Sequence, residues 1–344
     1  MKKVFPVKIP KKTITKSSNK DYKLLPKIKG TKRNRIELLY LFLFFILLII
    51  IIFLFRKIKR RGTEKKGNLL ENDIYLDQYE TNIYDRVKEK IKQYKCSLMW
   101  ANQREFLNGV VRKFKPKKIV EIGVAAGAGS IIILNALQDI ENSHLYSIDL
   151  DASDNVGSCL KNHFPELLNK WTLFKGDVAA KYMEQIGNNI DMLFIDSAHV
   201  EPGEILDFII ALPFLKENAI VGIHDIGNQI TYGPHIRREW APYIIFNMIR
   251  GKQYLPSGNK QLTHDIGIKI LDNNQKQYYH DYFRALGGQW QYFPKAKHLL
   301  LIKEYFQKYY DEVCLLMFNE TVEFNRKFVK DNPMDVFYKD PKEY

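Results

Sequence analysis

A glycine-rich segment between an apolar run and a helical run restricts the fold more than any other feature of this sequence. The run KIVEI (residues 118–122) predicts a buried strand, and SIIILNALQDI (residues 130–140) predicts a helix. Between them lie three glycines, Gly123, Gly127 and Gly129. Glycine lets a chain turn sharply and lets backbone amides approach a ligand closely. This order predicts a cofactor-binding α/β unit, although a tight turn without a ligand has the same composition.

Short apolar runs alternate with helical runs beyond this segment. HLYSIDLD, WTLFKGD, IDMLFIDSAH and AIVGIHDI are typical of strands, whereas EILDFIIALPFL is typical of a helix. Alternation with almost fully apolar strands predicts a parallel sheet covered on both faces. DIGIKIL (residues 265–271) and KHLLLIK (residues 297–303) are candidate closing strands, and the aromatic tail after them predicts helices. The predicted fold class is therefore α/β, a doubly wound, mostly parallel Rossmann-like sheet.

The net charge of +14 is confined to the N-terminal part of the chain. Residues 1–66 hold 20 Lys and Arg against 3 acids, whereas the other 278 residues hold 33 against 36. A nucleic-acid-binding domain concentrates basic residues on its folded surface, and the globular part shows no such excess. We therefore predict no nucleic-acid partner.

Residues 38–55 are an uninterrupted run of 18 apolar or aromatic side chains. At about 1.5 Å per residue, this length approaches the roughly 30 Å hydrocarbon core of a bilayer. A signal peptide would be shorter and would end in small residues, whereas RKIKRRG follows here. We predict one transmembrane helix over residues 36–55 with the lipid bilayer as its partner. Seven basic residues in 20–35 and seven in 56–70 leave the orientation open.

These features predict five segments along the chain. They are a basic tail at 1–35, the transmembrane helix at 36–55, a basic linker at 56–72, the α/β domain at 73–272, and a helical, aromatic extension at 273–344 that packs on this domain. The three cysteines, Cys96, Cys159 and Cys314, are far apart in sequence and form no CxxC pair. Their spacing predicts three packing thiols.

Acidic residues end the two strand-like runs that follow the glycine segment. Asp149 lies 26 residues after Gly123, where an acid in a doubly wound fold binds both hydroxyls of a ribose. Gly176 and Asp177 end the next run, where the edge of an adenine would lie. Asp177 has a second interpretation, as a turn residue that caps the next helix.

The segment MWANQREFLNGVVRKFKPKKIVEIGVAAGAGS contains a predicted helix, a short link and a glycine pattern of the form E-(I/L)-G-x-x-x-G-x-S. With the residues up to about 227, it resembles the class I S-adenosylmethionine-dependent O-methyltransferases of the catechol and caffeoyl-CoA type. Gly129 stands where this family usually has Ser, and Ser130 follows it. The resemblance implies that S-adenosylmethionine is the methyl donor. It implies that Glu121 and the loop glycines, with Ser130 beside them, hold its methionine end, and that Asp149 holds its ribose.

Two later segments resemble the divalent-metal site of the same family. DMLFIDSAHVEPG resembles the stretch in which an Asp ends the fourth strand and ligates the ion, which here is Asp196. Three residues on, catechol-type enzymes carry a Lys as catalytic base, and this chain has His199. IVGIHDI resembles the fifth strand, which ends in the remaining ligands, here His224 and Asp225. Oxygen ligands suit Mg²⁺ or Ca²⁺, whereas an imidazole among them favours Mn²⁺, Fe²⁺ or Zn²⁺.

The sequence therefore predicts a membrane-anchored S-adenosylmethionine-dependent O-methyltransferase with divalent-metal assistance. Its acceptor would be a hydroxyl group of a small molecule or a glycan. One alternative is a membrane-anchored glycosyltransferase that uses Asp149-Leu150-Asp151 as a D-x-D motif. Another is a non-catalytic scaffold with a methyltransferase fold, because His224 stands where the family has an Asp.

Overall fold

The computed structural model describes seven stretches of the chain: residues 82–96, 99–199, 201–227, 240–256, 266–272, 278–286 and 295–331. The predicted tail, transmembrane helix and linker, at 1–35, 36–55 and 56–72, lie outside the described residues. Within the described stretches, no helix combines the length and the apolar character needed to cross a membrane.

The described strands form one seven-stranded sheet in the order β3-β2-β1-β4-β5-β7-β6. The strands are β1 (Lys118–Ile122), β2 (His144–Asp149), β3 (Trp171–Lys175), β4 (Ile190–Ile195), β5 (Leu215–Ile223), β6 (Gly251–Tyr254) and β7 (Gly267–Leu271). Strands β1 to β5 pair in parallel, and β7 runs antiparallel to both β5 and β6. The predicted doubly wound, mostly parallel sheet is confirmed, with an antiparallel edge.

Helices cover both faces of this sheet. They are α1 (Asn82–Tyr94), α2 (Ala101–Phe114), α3 (Ala128–Leu137), α4 (Ser158–His163), α5 (Met183–Ile186), α6 (Gly203–Ala211), α7 (Ala241–Met248), α8 (Tyr279–Ala285), α9 (Ala296–Tyr309) and α10 (Glu312–Asp331). Because side chains alternate along a strand, Ile119 packs in the core with α1 to α4. Val120 and Ile122 pack in the opposite core, with α5 to α10.

The segment KHLLLIK is helical, so the prediction of a closing strand there is wrong. It lies in α9, whose buried residues are His298, Leu299, Ile302, Tyr305 and Phe306. This spacing places the buried residues on one face of the helix. The three consecutive leucines hid this helical spacing within the seven residues of KHLLLIK. The other predicted closing strand, DIGIKIL, is confirmed as β7. Strand β6 (GKQY) gave no apolar signal because it is an edge strand of four residues.

Aromatic side chains fasten the C-terminal helices to the sheet layer. Tyr282 on α8 meets Phe208 on α6 edge to face, with the ring centroids 5.0 Å apart. Phe306 on α9 lies 5.0 Å from Phe283 and 4.8 Å from Phe318, again edge to face. All five rings belong to the same buried core as β4 and β5. The described part of the extension therefore shares its core with the α/β domain.

Two of the three cysteines are paired, which corrects the prediction of three packing thiols. Cys96, just after α1, and Cys159, on α4, form a disulfide with a Cα–Cα separation of 5.7 Å. Cys314 on α10 is free and buried. A separation of 63 residues gave no sign of the pairing, because the fold and not the sequence spacing brings the two segments together.

Candidate active site

The glycine loop between β1 and α3 lies directly against the end of β4. Gly123 has a φ of +91°, and a Cβ at this position would lie 2.0 Å from the backbone oxygen of Asp196. Its amide donates to the carbonyl of Ile148 at 2.9 Å, which also fixes the loop to β2. Gly127 has a φ of +99° and precedes the first turn of α3. The absence of a side chain at Gly123 is therefore what lets the glycine loop and the Asp196 segment meet.

We expect Gly123→Ala to destabilise the protein more than Gly176→Ala does. The two positions share nearly the same φ, +91° and +88°, so the strain of an alanine in the left-handed region is matched. At Gly176 the nearest atom to a new Cβ is a methyl carbon at 3.1 Å, whereas at Gly123 it is a rigid backbone oxygen. Overpacking of this kind costs about 1–3 kcal/mol. Denaturant unfolding of both variants measures the difference, and equal losses would refute the close contact.

Glu121 lies beneath the glycine loop. Its carboxylate is 1% exposed and accepts hydrogen bonds from Ser130 Oγ at 2.5 Å and Ser147 Oγ at 2.6 Å. Burial raises its pKa to about 8. A Cβ at Gly129 would lie 2.5 Å from Glu121 Oε1, so the carboxylate packs directly against this glycine. Ser130 supplies the hydroxyl from the next position, so this pair supports the loop from below.

Asp149 joins the end of β2 to the same loop. Its Oδ2 accepts hydrogen bonds from the amides of Val124 at 2.9 Å and Ala125 at 3.0 Å. Its Oδ1 accepts one from the amide of Asp151 at 2.8 Å. The Asp151 carboxylate turns to a different partner, Ser153, with both its amide and its hydroxyl donating. The two carboxylates of the D-x-D sequence thus belong to separate turns.

The structure favours the capping interpretation of Asp177. Its carboxylate is 4% exposed and accepts hydrogen bonds from the amide of Val178 at 3.1 Å and from Lys181 Nζ at 2.9 Å. His298 Nε2 on α9 lies 3.2 Å from its Oδ1. The side chain is therefore engaged by its own turn and by the C-terminal extension. Gly176 donates its amide to the carbonyl of Asp149 at 2.9 Å and keeps the ends of β2 and β3 together.

Asp196, His199 and Asp225 converge where β4 and β5 end. One ligand atom from each lies within 4.8 Å of those of the other two. His199 Nε2 is 3.1 Å from Asp225 Oδ2 and 3.8 Å from Asp196 Oδ1. Both His199 and Asp225 have positive φ, +57° and +56°, conformations that turn their side chains toward this point at a cost in backbone energy. Two carboxylates and an imidazole at this spacing could hold a divalent cation.

His224, the third predicted ligand, lies deeper than the other residues of this cluster. Its Nδ1 is 3.2 Å from Asp196 Oδ1 and 3.2 Å from Asp225 Oδ2. Its Nε2 is 3.3 Å from Oε1 of Gln103 on α2. His199 and His224 therefore both lie within 4 Å of the same two carboxylates, so either imidazole could supply the third ligand.

Two acids of α6 complete the site and were missed in the sequence. Glu204 is fully buried, and its Oε2 lies 3.5 Å from His199 Nδ1, which pairs with the carboxylate and opposes the rise in its pKa that burial causes. Asp207 accepts a hydrogen bond from Ser197 Oγ at 2.9 Å, and burial raises its pKa to about 7. Acids near the start of a helix normally complement its dipole at the surface, so nothing in the sequence indicated burial.

The cluster attracts positive charge strongly. Burial disfavours protonation of His199, but Glu204, Asp196 and Asp225 outweigh it and raise the pKa of this imidazole to about 9. Burial also disfavours protonation of His224, but Asp196 and Asp225 outweigh this effect and raise the pKa of the imidazole to about 10. A divalent cation satisfies the same carboxylates in place of protons. The donor set of Asp196, His199 and Asp225 therefore fits such an ion.

Comparison with known proteins supports the methyltransferase resemblance. Residues 120–226 match a family model described as a methyltransferase domain, and this match confirms the predicted domain type. Solved structures with a similar fold include the O-methyltransferase from Bacillus cereus in complex with SAH (16% identity, 56% of this chain and 91% of that chain covered, TM-score 0.43). Another is the O-methyltransferase TomG from Streptomyces achromogenes in complex with SAM (16% identity, 61% and 95% covered, TM-score 0.43). A search of curated proteins found no match.

Proposed function

We propose that this chain transfers a methyl group from S-adenosylmethionine to a hydroxyl oxygen with the help of a divalent cation. The observation that carries this proposal is the contact at Gly123, which places the donor loop against the residue that begins the carboxylate–imidazole cluster. The acceptor oxygen attacks the methyl carbon in line with the sulfonium. The carbon–sulfur bond breaks as the carbon–oxygen bond forms, and the acceptor proton leaves. Most of the rate enhancement then comes from positioning.

The donor site combines the backbone amides of the glycine loop with a fixed acid. The loop amides beyond Gly123 face the end of β2, where Asp149 already accepts hydrogen bonds from Val124 and Ala125. We infer that Asp149 binds the ribose hydroxyls with its remaining lone pairs and holds the loop at the same time. Glu121 and Ser130 support this loop from below through their mutual hydrogen bond.

The cation would be held by Asp196, His199 and Asp225. A divalent ion bound to a hydroxyl lowers the pKa of that hydroxyl and so eases its deprotonation. One imidazole among the ligands favours Mn²⁺ over Mg²⁺. His199 Nε2 faces the two carboxylates, so it serves either as a ligand or as the base that takes the acceptor proton. Cation affinity of His199→Ala separates the two roles, because only the loss of a ligand weakens binding.

We propose that residues 36–55 anchor the catalytic domain to a bilayer as a single-pass helix. The uninterrupted apolar run and its basic flanks support this anchor. The Cys96–Cys159 disulfide supports a domain that faces an oxidising compartment. Protease treatment of sealed vesicles whose cytosolic face is outward tests the side of the membrane. A protected C-terminal domain agrees with this topology, and a cleaved domain contradicts it.

Asp149→Ala should weaken S-adenosylmethionine binding about tenfold or more, because a charged acceptor of hydrogen bonds is removed from the ribose and from the loop. Asp151→Ala is the matched control, since its carboxylate faces Ser153 and not the loop. Titration calorimetry with the donor measures both. Unchanged affinity in Asp149→Ala would remove this residue from the donor site, and equal losses in both variants would point to a general loosening of the turn.

Chelation of divalent cations should abolish methyl transfer while leaving donor binding intact. The reason is that the donor contacts come from the β1 loop and β2, whereas the cation ligands follow β4 and β5. Activity should return when Mn²⁺ or Mg²⁺ is added to the chelated protein. Full turnover in the presence of EDTA would refute the role of the metal.

A further inference from the structure

A second group of metal-binding side chains lies in the C-terminal helices, away from the sheet edge that carries the candidate active site. His280 is on α8, Asp311 immediately precedes α10, and Cys314 is in the first turn of α10. One ligand atom from each lies within 4.8 Å of those of the other two. These residues come from segments that are separated in sequence, so the tertiary packing of α8 against α10 creates the group.

The distances within this group suit a small tetrahedral ion. His280 Nδ1 is 3.5 Å from Cys314 Sγ, and His280 Nε2 is 3.5 Å from Asp311 Oδ2. Zinc bonds of about 2.0–2.3 Å place tetrahedral ligands roughly 3.3–3.8 Å apart. A single imidazole binds an ion through one nitrogen, so the Nδ1–Sγ pair already has the spacing that zinc requires, and Asp311 lies within the 4.8 Å that encloses one ligand atom from each residue. Thiolate, imidazole and carboxylate are also its preferred ligands.

The burial of the three side chains distinguishes a metal site from a nucleophilic one. A cysteine, an imidazole and a carboxylate that lie side by side in space also resemble the catalytic group of a thiol enzyme. Cys314 is fully buried in the core that contains Phe306 and Phe318, so no substrate can reach its sulfur. The side chains of His280 and Asp311 are 39% and 43% exposed, which leaves a small ion a route from solvent.

We propose that His280, Asp311 and Cys314 bind a zinc ion that fastens α8 to α10. The fourth position faces solvent and is taken by water. Asp311 also caps α10, because its Oδ1 accepts a hydrogen bond from the Cys314 amide at 2.9 Å. Zinc would tie this cap to α8 and stiffen the extension that packs on the α/β domain. The site is independent of the proposed methyl transfer.

Cobalt substitution of the full chain in detergent tests the proposal. Co²⁺ bound to a thiolate gives a charge-transfer absorption in the near ultraviolet, and Cys314 is the cysteine outside the disulfide. Metal-stripped wild-type protein should develop this absorption on titration with Co²⁺, and equimolar Zn²⁺ should bleach it. Cys314→Ser should lose the absorption and one equivalent of bound zinc. Asp196→Asn, in the other cluster, should keep the absorption, because no thiolate belongs to that cluster.

Two further measurements keep the outcome decisive. His280→Gln changes a half-exposed side chain and leaves the buried Cys314 in place, so it should weaken zinc binding at least tenfold even if Cys314→Ser folds poorly. Circular dichroism checks that each variant is folded. Folded wild-type protein that shows no thiolate–cobalt absorption would overturn the proposal. Absorption that persists in Cys314→Ser would overturn it too, because it would arise from the other cysteines.

Discussion

Asp196→Asn is expected to lower both divalent-cation affinity and methyl transfer by at least about 100-fold, since loss of a metal ligand costs no less than loss of a residue that orients one. Asn keeps the size of Asp and removes its charge. The side chain faces His199 and His224 across the cluster, so the change takes a negative charge from its centre. Mn²⁺ titration of the metal-stripped protein measures affinity, and turnover of any acceptor that the wild type accepts measures transfer.

Asp191→Asn is the matched control for this variant. Asp191 is on the same strand, β4, but near its amino end, where its carboxylate accepts hydrogen bonds from the amides of Lys117 and Lys118. Its replacement should reduce stability and leave cation affinity unchanged. If Asp196→Asn binds Mn²⁺ as tightly as the wild type does, the carboxylate cluster is not the cation site.

Glu204→Gln is expected to separate function from stability. Its carboxylate is fully buried beside His199, and burial outweighs the attraction of this imidazole and raises the pKa of the carboxyl. Gln removes the cost of burying the charge together with its attraction to His199, so the melting temperature should change little. The same change removes the carboxylate 3.5 Å from His199 Nδ1, which orients that imidazole. Cation affinity and methyl transfer should therefore fall about 10- to 100-fold.

Glu184→Gln provides the comparison for Glu204→Gln. Glu184 is an exposed acid of α5 that accepts hydrogen bonds from Lys308 and Tyr309 on α9. Removal of its charge should leave cation affinity unchanged. The account of Glu204 fails if Glu204→Gln lowers the melting temperature strongly and leaves cation affinity intact, because the residue would then be structural only.

The sequence predicted those parts of the site that follow from strand order. Asp149, Asp196 and Asp225 each follow an apolar run, and parallel strands bring their carboxyl ends to one edge of the sheet. The glycine loop was equally visible, because Gly123 and Gly127 stand where the chain must turn between β1 and α3. In these cases the fold class determines where a residue at the end of a strand lies in the structure, so the sequence pattern was enough to predict its position.

Contacts between distant segments were not predictable from the sequence. Gln103 lies 121 residues from His224 in the chain, and only the packing of α2 against the sheet places them 3.3 Å apart. Burial of Glu204 depends on how α6 docks, which its own sequence does not reveal. Cys96 and Cys159 pair for a similar reason, since α1 and α4 share one core. Such contacts depend on side-chain packing, for which a single sequence carries no periodic signal.

Equilibrium binding of labelled S-adenosylmethionine to the purified chain, beside a labelled UDP-sugar, tests the central claim most directly. The account predicts saturable, one-to-one binding of the methyl donor that S-adenosylhomocysteine displaces and the UDP-sugar does not. Folded protein that binds the UDP-sugar, or that binds neither ligand, would contradict it.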